Sequence, residues 1–180
     1  ITDTHLDPAG EEPEGYHQQP RYVRQLPVLL AALDAWILDR SGTPLAIDFI
    51  VHLGDAVDRA TSTAVCAAAE TYRLSVPVCL CLGNHDMAIG ADPTKPASAL
   101  WIDQAPELFY GKQPTSTIRA EDCVIHIVPT QWCDTPFYWA EEQRPHFLPE
   151  QRAHLEDELA RRPDLPHVLC THGEVFGVPT

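Results

Sequence analysis

Residues 46–86 read AIDFIVHLGDAVDRATSTAVCAAAETYRLSVPVCLCLGNHD. Two short apolar runs, Ala46 to Leu53 and Val76 to Leu82, each stop at a glycine, Gly54 and Gly83. Continuous apolar character predicts strands buried on both faces, the pattern of parallel pairing. Between them, Thr61 to Leu74 is alanine-rich and of helix length. The order strand, loop, helix, strand, loop predicts a βαβ unit. The loops after parallel strands open on one sheet edge, where α/β proteins gather ligands. Here those loops read Gly54-Asp55-Ala56-Val57-Asp58-Arg59 and Gly83-Asn84-His85-Asp86, so their polar side chains are expected to meet.

Working outward, Val23, Leu26, Leu29, Leu30, Leu33, Trp36 and Ile37 recur at three- and four-residue steps. This spacing predicts an amphipathic helix over 21–40, perturbed early by Pro27 and stopped by Ser41-Gly42-Thr43-Pro44. Before it, segment 7–20 holds glycines, prolines and acids without apolar periodicity and reads as an irregular loop that can border a pocket. Downstream, Thr115–Arg119 and Cys123–Val128, separated by Ala120-Glu121-Asp122, predict an antiparallel hairpin and hence a mixed sheet. An aromatic, proline-rich stretch over 131–149 leads to a helix from about Glu150 to Arg161. A short strand, His167 to Cys170, then runs into Thr171-His172-Gly173.

The 180 residues suit one domain with a sizeable core. A formal charge of −14 argues against a basic footprint for nucleic acid or for an anionic membrane, and favours a small phosphorylated substrate. No apolar run reaches the length of about 18 residues that a membrane span needs. The six cysteines form no CxxC pair, and buried reduced thiols are expected. The expected location is the cytoplasm. No HCx₅R stretch exists, which excludes a cysteine-phosphatase mechanism.

Three fragments carry the chemistry: Asp3-Thr4-His5 and the two glycine loops. Carboxylate, imidazole and amide donors suit hard or borderline divalent ions that activate water. Asp3 and His5, two apart on an extended segment, would point to one side and could share an ion. Asp55 after Gly54 could bridge two ions through its two oxygens, while Asp58 could equally cap a helix. An amide, an imidazole and a carboxylate at a buried strand mouth must each find a partner.

On these fragments the chain resembles the calcineurin-like metallophosphoesterases, whose pattern runs DxH, GDxxD, GNH followed by Asp or Glu, a lone His, then GHxH. The resemblance implies a four-layer α-β-β-α sandwich of two mixed sheets with flanking helices and a metal centre at the strand C-terminal ends. It implies that Asp3, His5 and Asp55 hold one metal ion and Asp55, Asn84 and His172 a second. The ions would be Mn, Fe, Zn or Co. His85 would serve as leaving-group acid or transition-state donor, oriented by Asp58, and water activated between the ions would attack phosphorus in line.

The GHxH motif is not found, so the resemblance implies a domain over 1–180 lacking its first strand and its last motif segment. An alternative register makes Thr171-His172-Gly173-Glu174 a degraded GHxH, with Glu174 replacing the last histidine. Arg59 resembles the phosphate-contacting arginine of the protein-phosphatase branch, although Ala60 stands where that branch has glycine; an exposed arginine at a helix start is the other reading. Tyr16, His17, Trp132, Trp139 and His146 could line the pocket or merely cover the core. The implied reaction is phosphodiester or phosphomonoester hydrolysis, most similar to the cyclic-nucleotide and glycerophosphodiester group. A protein phosphatase or a non-catalytic metal-binding scaffold is the competitor.

Overall fold

In the computed structural model, the described residues are 1–6, 20–87, 97–131 and 145–173, with the side chains of 20–24 and 97 excepted. The elements run α1 (Pro20–Arg40), β1 (Ile50–His52), α2 (Ser62–Thr71), β2 (Val78–Leu80), α3 (Ala97–Gln104), β3 (Ser116–Arg119), β4 (Val124–Ile127), α4 (Pro149–Arg161) and β5 (His167–Cys170). Two short 3-10 turns, Pro106–Leu108 and Tyr110–Lys112, link α3 to β3.

β1 and β2 pair in parallel with Val51 opposite Cys79, and α2 crosses between them, as the apolar runs predict. Both strands are shorter than their runs, because only three residues of each enter the ladder. The second sheet has the order β3-β4-β5. β3 and β4 form the expected hairpin, with Ile118 opposite Ile125, while β4 and β5 are parallel and joined through α4. This sheet is mixed; the first is purely parallel among the described residues, where mixed pairing was expected.

Side-chain alternation then builds the layers. Ile50, Val78 and Leu80 share a core with Leu26 and Leu30 of α1, Ala64, Val65 and Ala68 of α2, and Trp101 of α3. The opposite face of the same strands, Val51, Cys79 and Cys81, packs on Ile118, Ile125 and Ile127 of the second sheet. The outer face of that sheet meets α4 through Thr117 to His154 and Arg119 to Glu158. The result is the α-β-β-α sandwich, with period-two strands placing alternate residues in different layers.

Two details correct the sequence reading. Leu29 and Trp36 are exposed, whereas Leu26, Leu30 and Ile37 are buried and Leu33 partly so. At 100° per residue, positions 26, 30, 33 and 37 form one stripe and positions 29 and 36 fall beside it. Among the cysteines, Cys79 and Cys81 are buried but Cys66 is exposed; all five described cysteines are free. α3, which the sequence reading leaves out, carries the fully buried Trp101.

Candidate metal centre

The segment 1–6 lies alongside β1 and the loop after it. Leu53 donates to Ile1 O at 2.7 Å, Asp3 N to Gly54 O at 3.0 Å, His5 N to Asp55 O at 2.9 Å and Leu6 N to Ala56 O at 2.9 Å. Backbone pairing therefore sets Asp3 and His5 against Gly54 and Asp55. The segment is not extended as expected: Asp3, His5 and Asp55 have φ of +53°, +43° and +52°. Left-handed backbone in three non-glycine residues costs on the order of 1 kcal/mol or more each, and such strain clusters at functional sites. Asp and His are among the residues that tolerate it best.

Glycines make the close approach possible. A Cβ on Gly83 would collide with the carboxylate and backbone nitrogen of Asp55, and one on Gly54 would lie 2.6 Å from His172 Nδ1. Gly54 also has φ +99°, which favours glycine.

Around Asp55 the candidate residues converge. Its Oδ2 lies 3.6 Å from His5 Nε2 and 3.3 Å from His172 Nε2, and its Oδ1 accepts the His85 backbone N–H at 3.0 Å. His172 Nε2 also lies 3.0 Å from Asn84 Oδ1. Among the described residues, two sets of donor atoms lie within 4.8 Å of one another: His5, Asp55 and His85, and Asp3, Asp55 and His172. Asp55 belongs to both.

The electrostatics follow from this crowding. Burial opposes ionisation of Asp55, but the bond and charge of His172 and the His85 N–H outweigh it and lower its pKa. Burial likewise opposes charge on His172, yet Asp55 raises its pKa to about 9. The Asp58 carboxyl is held well below the usual range by His5 and then His85. His85 is raised, the Asp58 contacts outweighing burial.

These residues fit a metal ion. Leu53 O can only accept, so His172 donates Nδ1–H to it at 2.7 Å and turns Nε2 toward the oxygens of Asp55 and Asn84. Either a proton or a cation must lie between that nitrogen and those oxygens. Metal-ligating histidines are commonly oriented in this way through the far ring nitrogen. His85 is oriented similarly, Nδ1 lying 2.9 Å from Asp58 O and 3.5 Å from Asp58 Oδ1. The buried Nδ1 of His5 has no hydrogen-bond partner among the described residues and sits 3.6 Å from Asp58 Oδ1.

Five supporting residues, Asp86, Trp101, Thr4, Tyr72 and His52, are given no ligand or catalytic role in the sequence reading. The fully buried Asp86 accepts Val57 N–H at 3.1 Å and Gly83 N–H at 2.9 Å, joining the two glycine loops, while Trp101 Nε1 donates to its carbonyl at 2.8 Å. Burial pushes its carboxyl up to about 7 against these two N–H bonds. Behind the first fragment, Thr4 Oγ1 meets Tyr72 OH and, at 3.0 Å, His52 Nε2. His52 Nδ1 accepts Gly54 N–H at 3.3 Å, so Nε2 carries the proton; burial lowers its pKa to about 3 and keeps the ring neutral. Asp86 is legible as a buried acid after His85, and His52 as an imidazole in an apolar run, a pattern that His126 shares; neither signal names the partner.

Arg59 is exposed; its carbonyl accepts Thr61 N–H at 2.8 Å, and its guanidinium makes no hydrogen bond or ion pair with a described residue. His146 pairs through its backbone with Gln131 and belongs to neither donor set. Tyr16, His17, Trp132, Trp139 and Glu174 lie outside the described residues. No helix among the described residues is long and apolar enough to cross a membrane.

No curated protein matches the chain at a significant level. The sequence profile of the calcineurin-like phosphoesterases matches residues 1–178, almost end to end, and the chain belongs to that family of metallophosphoesterases.

Proposed function

We propose that the protein hydrolyses a small phosphodiester, or a related monoester, at a centre of two metal ions, with Asp3, His5, Asp55, Asn84 and His172 as the ligands. The observation that carries this reading is the place of Asp55 in both donor sets, which suits a carboxylate shared by two ions. Ions of the Mn, Fe, Zn or Co type fit such oxygen and nitrogen donors, and when bound they neutralise phosphoryl oxygens and lower the pKa of water.

The chain's own residues supply the rest. Asp58 orients the His85 ring through the contacts at Nδ1, and Nε2 is the atom assigned to the substrate. The raised pKa of His85 favours the protonated ring, which suits donation of a proton from Nε2 to the departing alkoxide. His85 also belongs to one donor set, so its role as acid and not ligand needs its own test.

Hydrolysis of bis(p-nitrophenyl) phosphate provides that test. Activity should require added Mn²⁺, and His85→Ala should keep its metal while slowing turnover roughly 10²- to 10⁴-fold. Loss of a metal equivalent in that variant would make His85 a ligand.

A further inference from the structure

A cavity of about 220 Å³ lies at the same sheet edge as the donor residues. Its walls come from segments that meet that edge. Leu82 and Met87 bracket the Gly83–Asp86 turn, Pro129 and Gln131 follow β4, and Gln113 precedes β3. The β4 end is tied to the donor cluster, because Thr130 Oγ1 hydrogen-bonds Thr171 Oγ1 at 2.5 Å, one residue from His172.

The lining has a definite chemistry. Leu82, Met87 and Pro129 offer apolar surface, and Gln113 and Gln131 offer amides that no described residue bonds through their side chains. Gln151 is committed to building the wall: its Oε1 accepts Leu148 N–H at 2.8 Å and its Nε2 donates to Pro129 O at 2.9 Å. Glu150 is the one charged residue among the described lining, which holds no lysine, arginine or histidine. A phosphoryl or carboxylate group placed here would lose hydration without gaining a cation. An amide presents a donor and an acceptor side by side, which suits the edge of a polar ring. The volume corresponds to about seven waters at roughly 30 Å³ each, the scale of a sugar or a base.

We propose that this cavity holds the organic group of the ester, and that the group is an uncharged ring with hydrogen-bonding edges, such as a sugar or nucleobase presents. The assignment deepens the phosphoesterase reading and rests on it for the reaction, though not for the binding.

Uridine and orotidine, which differ by a carboxylate, test it on the full chain by nitrogen-15 correlation spectra. Uridine should shift the side-chain amide signals of Gln113 and Gln131 and inhibit bis(p-nitrophenyl) phosphate hydrolysis competitively; orotidine should do neither at the same concentration. Gln131→Leu should weaken uridine binding about tenfold, the fold-change of one lost hydrogen bond. Glu150→Lys, at an exposed position, should admit orotidine. Equal effects of the two ligands, or no shift at either glutamine, would overturn the proposal even where hydrolysis is robust. Selective uridine shifts without any hydrolysis would support the cavity assignment and overturn the phosphoesterase reading instead.

Discussion

The carboxylate of Asp86 accepts the backbone N–H of Val57 at 3.1 Å, and its other oxygen accepts that of Gly83. One buried side chain thus joins the loop that ends β1 to the loop that ends β2, and Asp55 and Asn84 sit on the joined pair. Asp86→Ala would leave two buried N–H groups without acceptors, at about 1–3 kcal/mol each. The variant should lose about 3 kcal/mol of stability in urea titration and bind metal more weakly, whereas Asp86→Glu should recover part of both. Unchanged metal affinity in a folded Asp86→Ala protein would restrict the residue to a stability role.

Gly83 carries a second prediction. Its α-carbon leaves no room for a side chain beside Asp55. Gly83→Ala should displace the Asp55 carboxylate and abolish tight metal uptake by elemental analysis, while circular dichroism stays close to that of the parent. Gly42 is a fair control, since a Cβ there meets nothing within 4 Å, although its φ of +75° makes Gly42→Asn the milder replacement.

Thr4 supplies the third. Its hydroxyl is the shared partner of His52 and Tyr72, two buried groups that bind no metal in the proposed centre. Thr4→Val keeps the shape and removes the hydroxyl, stranding the His52 Nε2–H; a loss of about 2 kcal/mol is expected from chemical denaturation. Thr4→Ser should restore most of it.

Remote from the centre, Glu158 binds Arg119 at 2.6 and 3.0 Å and Arg161 at 2.8 Å with only 2% of its surface exposed. The bond from Arg119, more than any other contact, holds its pKa below the ordinary 4.5. A carboxyl depressed in the folded state stabilises the protein above its unfolded pKa, and that stability fades as pH falls through the folded value. Glu158→Gln should therefore melt below the parent at pH 7, with the difference narrowing below about pH 4.5. A gap independent of pH would show that packing, and not charge, is what the residue contributes.

Much of this architecture is legible in the chain because period and punctuation are strong. The runs before Gly54 and Gly83, the Ala-rich span between them and the hairpin around Ala120–Asp122 all occupy their expected places. α4 begins at Pro149, one residue earlier than expected, as suits proline in a first helical turn. What the sequence conceals depends on tertiary pairing. The left-handed backbone of Asp3 and His5 comes from hydrogen bonds to residues 54 and 55, which no local pattern announces. The stripe on α1 is blurred because Leu29 and Trp36 are as apolar as the buried set. α3 is short, and its polar residues, Ser98, Asp103 and Gln104, lie toward its two ends and mark no period. The residues of the centre are readable as types; their convergence on Asp55 is visible only once β1, β2 and β5 have delivered their loops to one edge.

The sharing of Asp55 by two ions is the central claim, and metal stoichiometry in Asp55→Asn measures it most directly. Elemental analysis after equilibration with Mn²⁺ should find two equivalents in the parent and fewer than one in the variant, with hydrolysis of bis(p-nitrophenyl) phosphate lost in parallel; Asp3→Asn should lose less. Equal metal content in the Asp55→Asn and Asp3→Asn proteins, or full hydrolysis by Asp55→Asn, would contradict it.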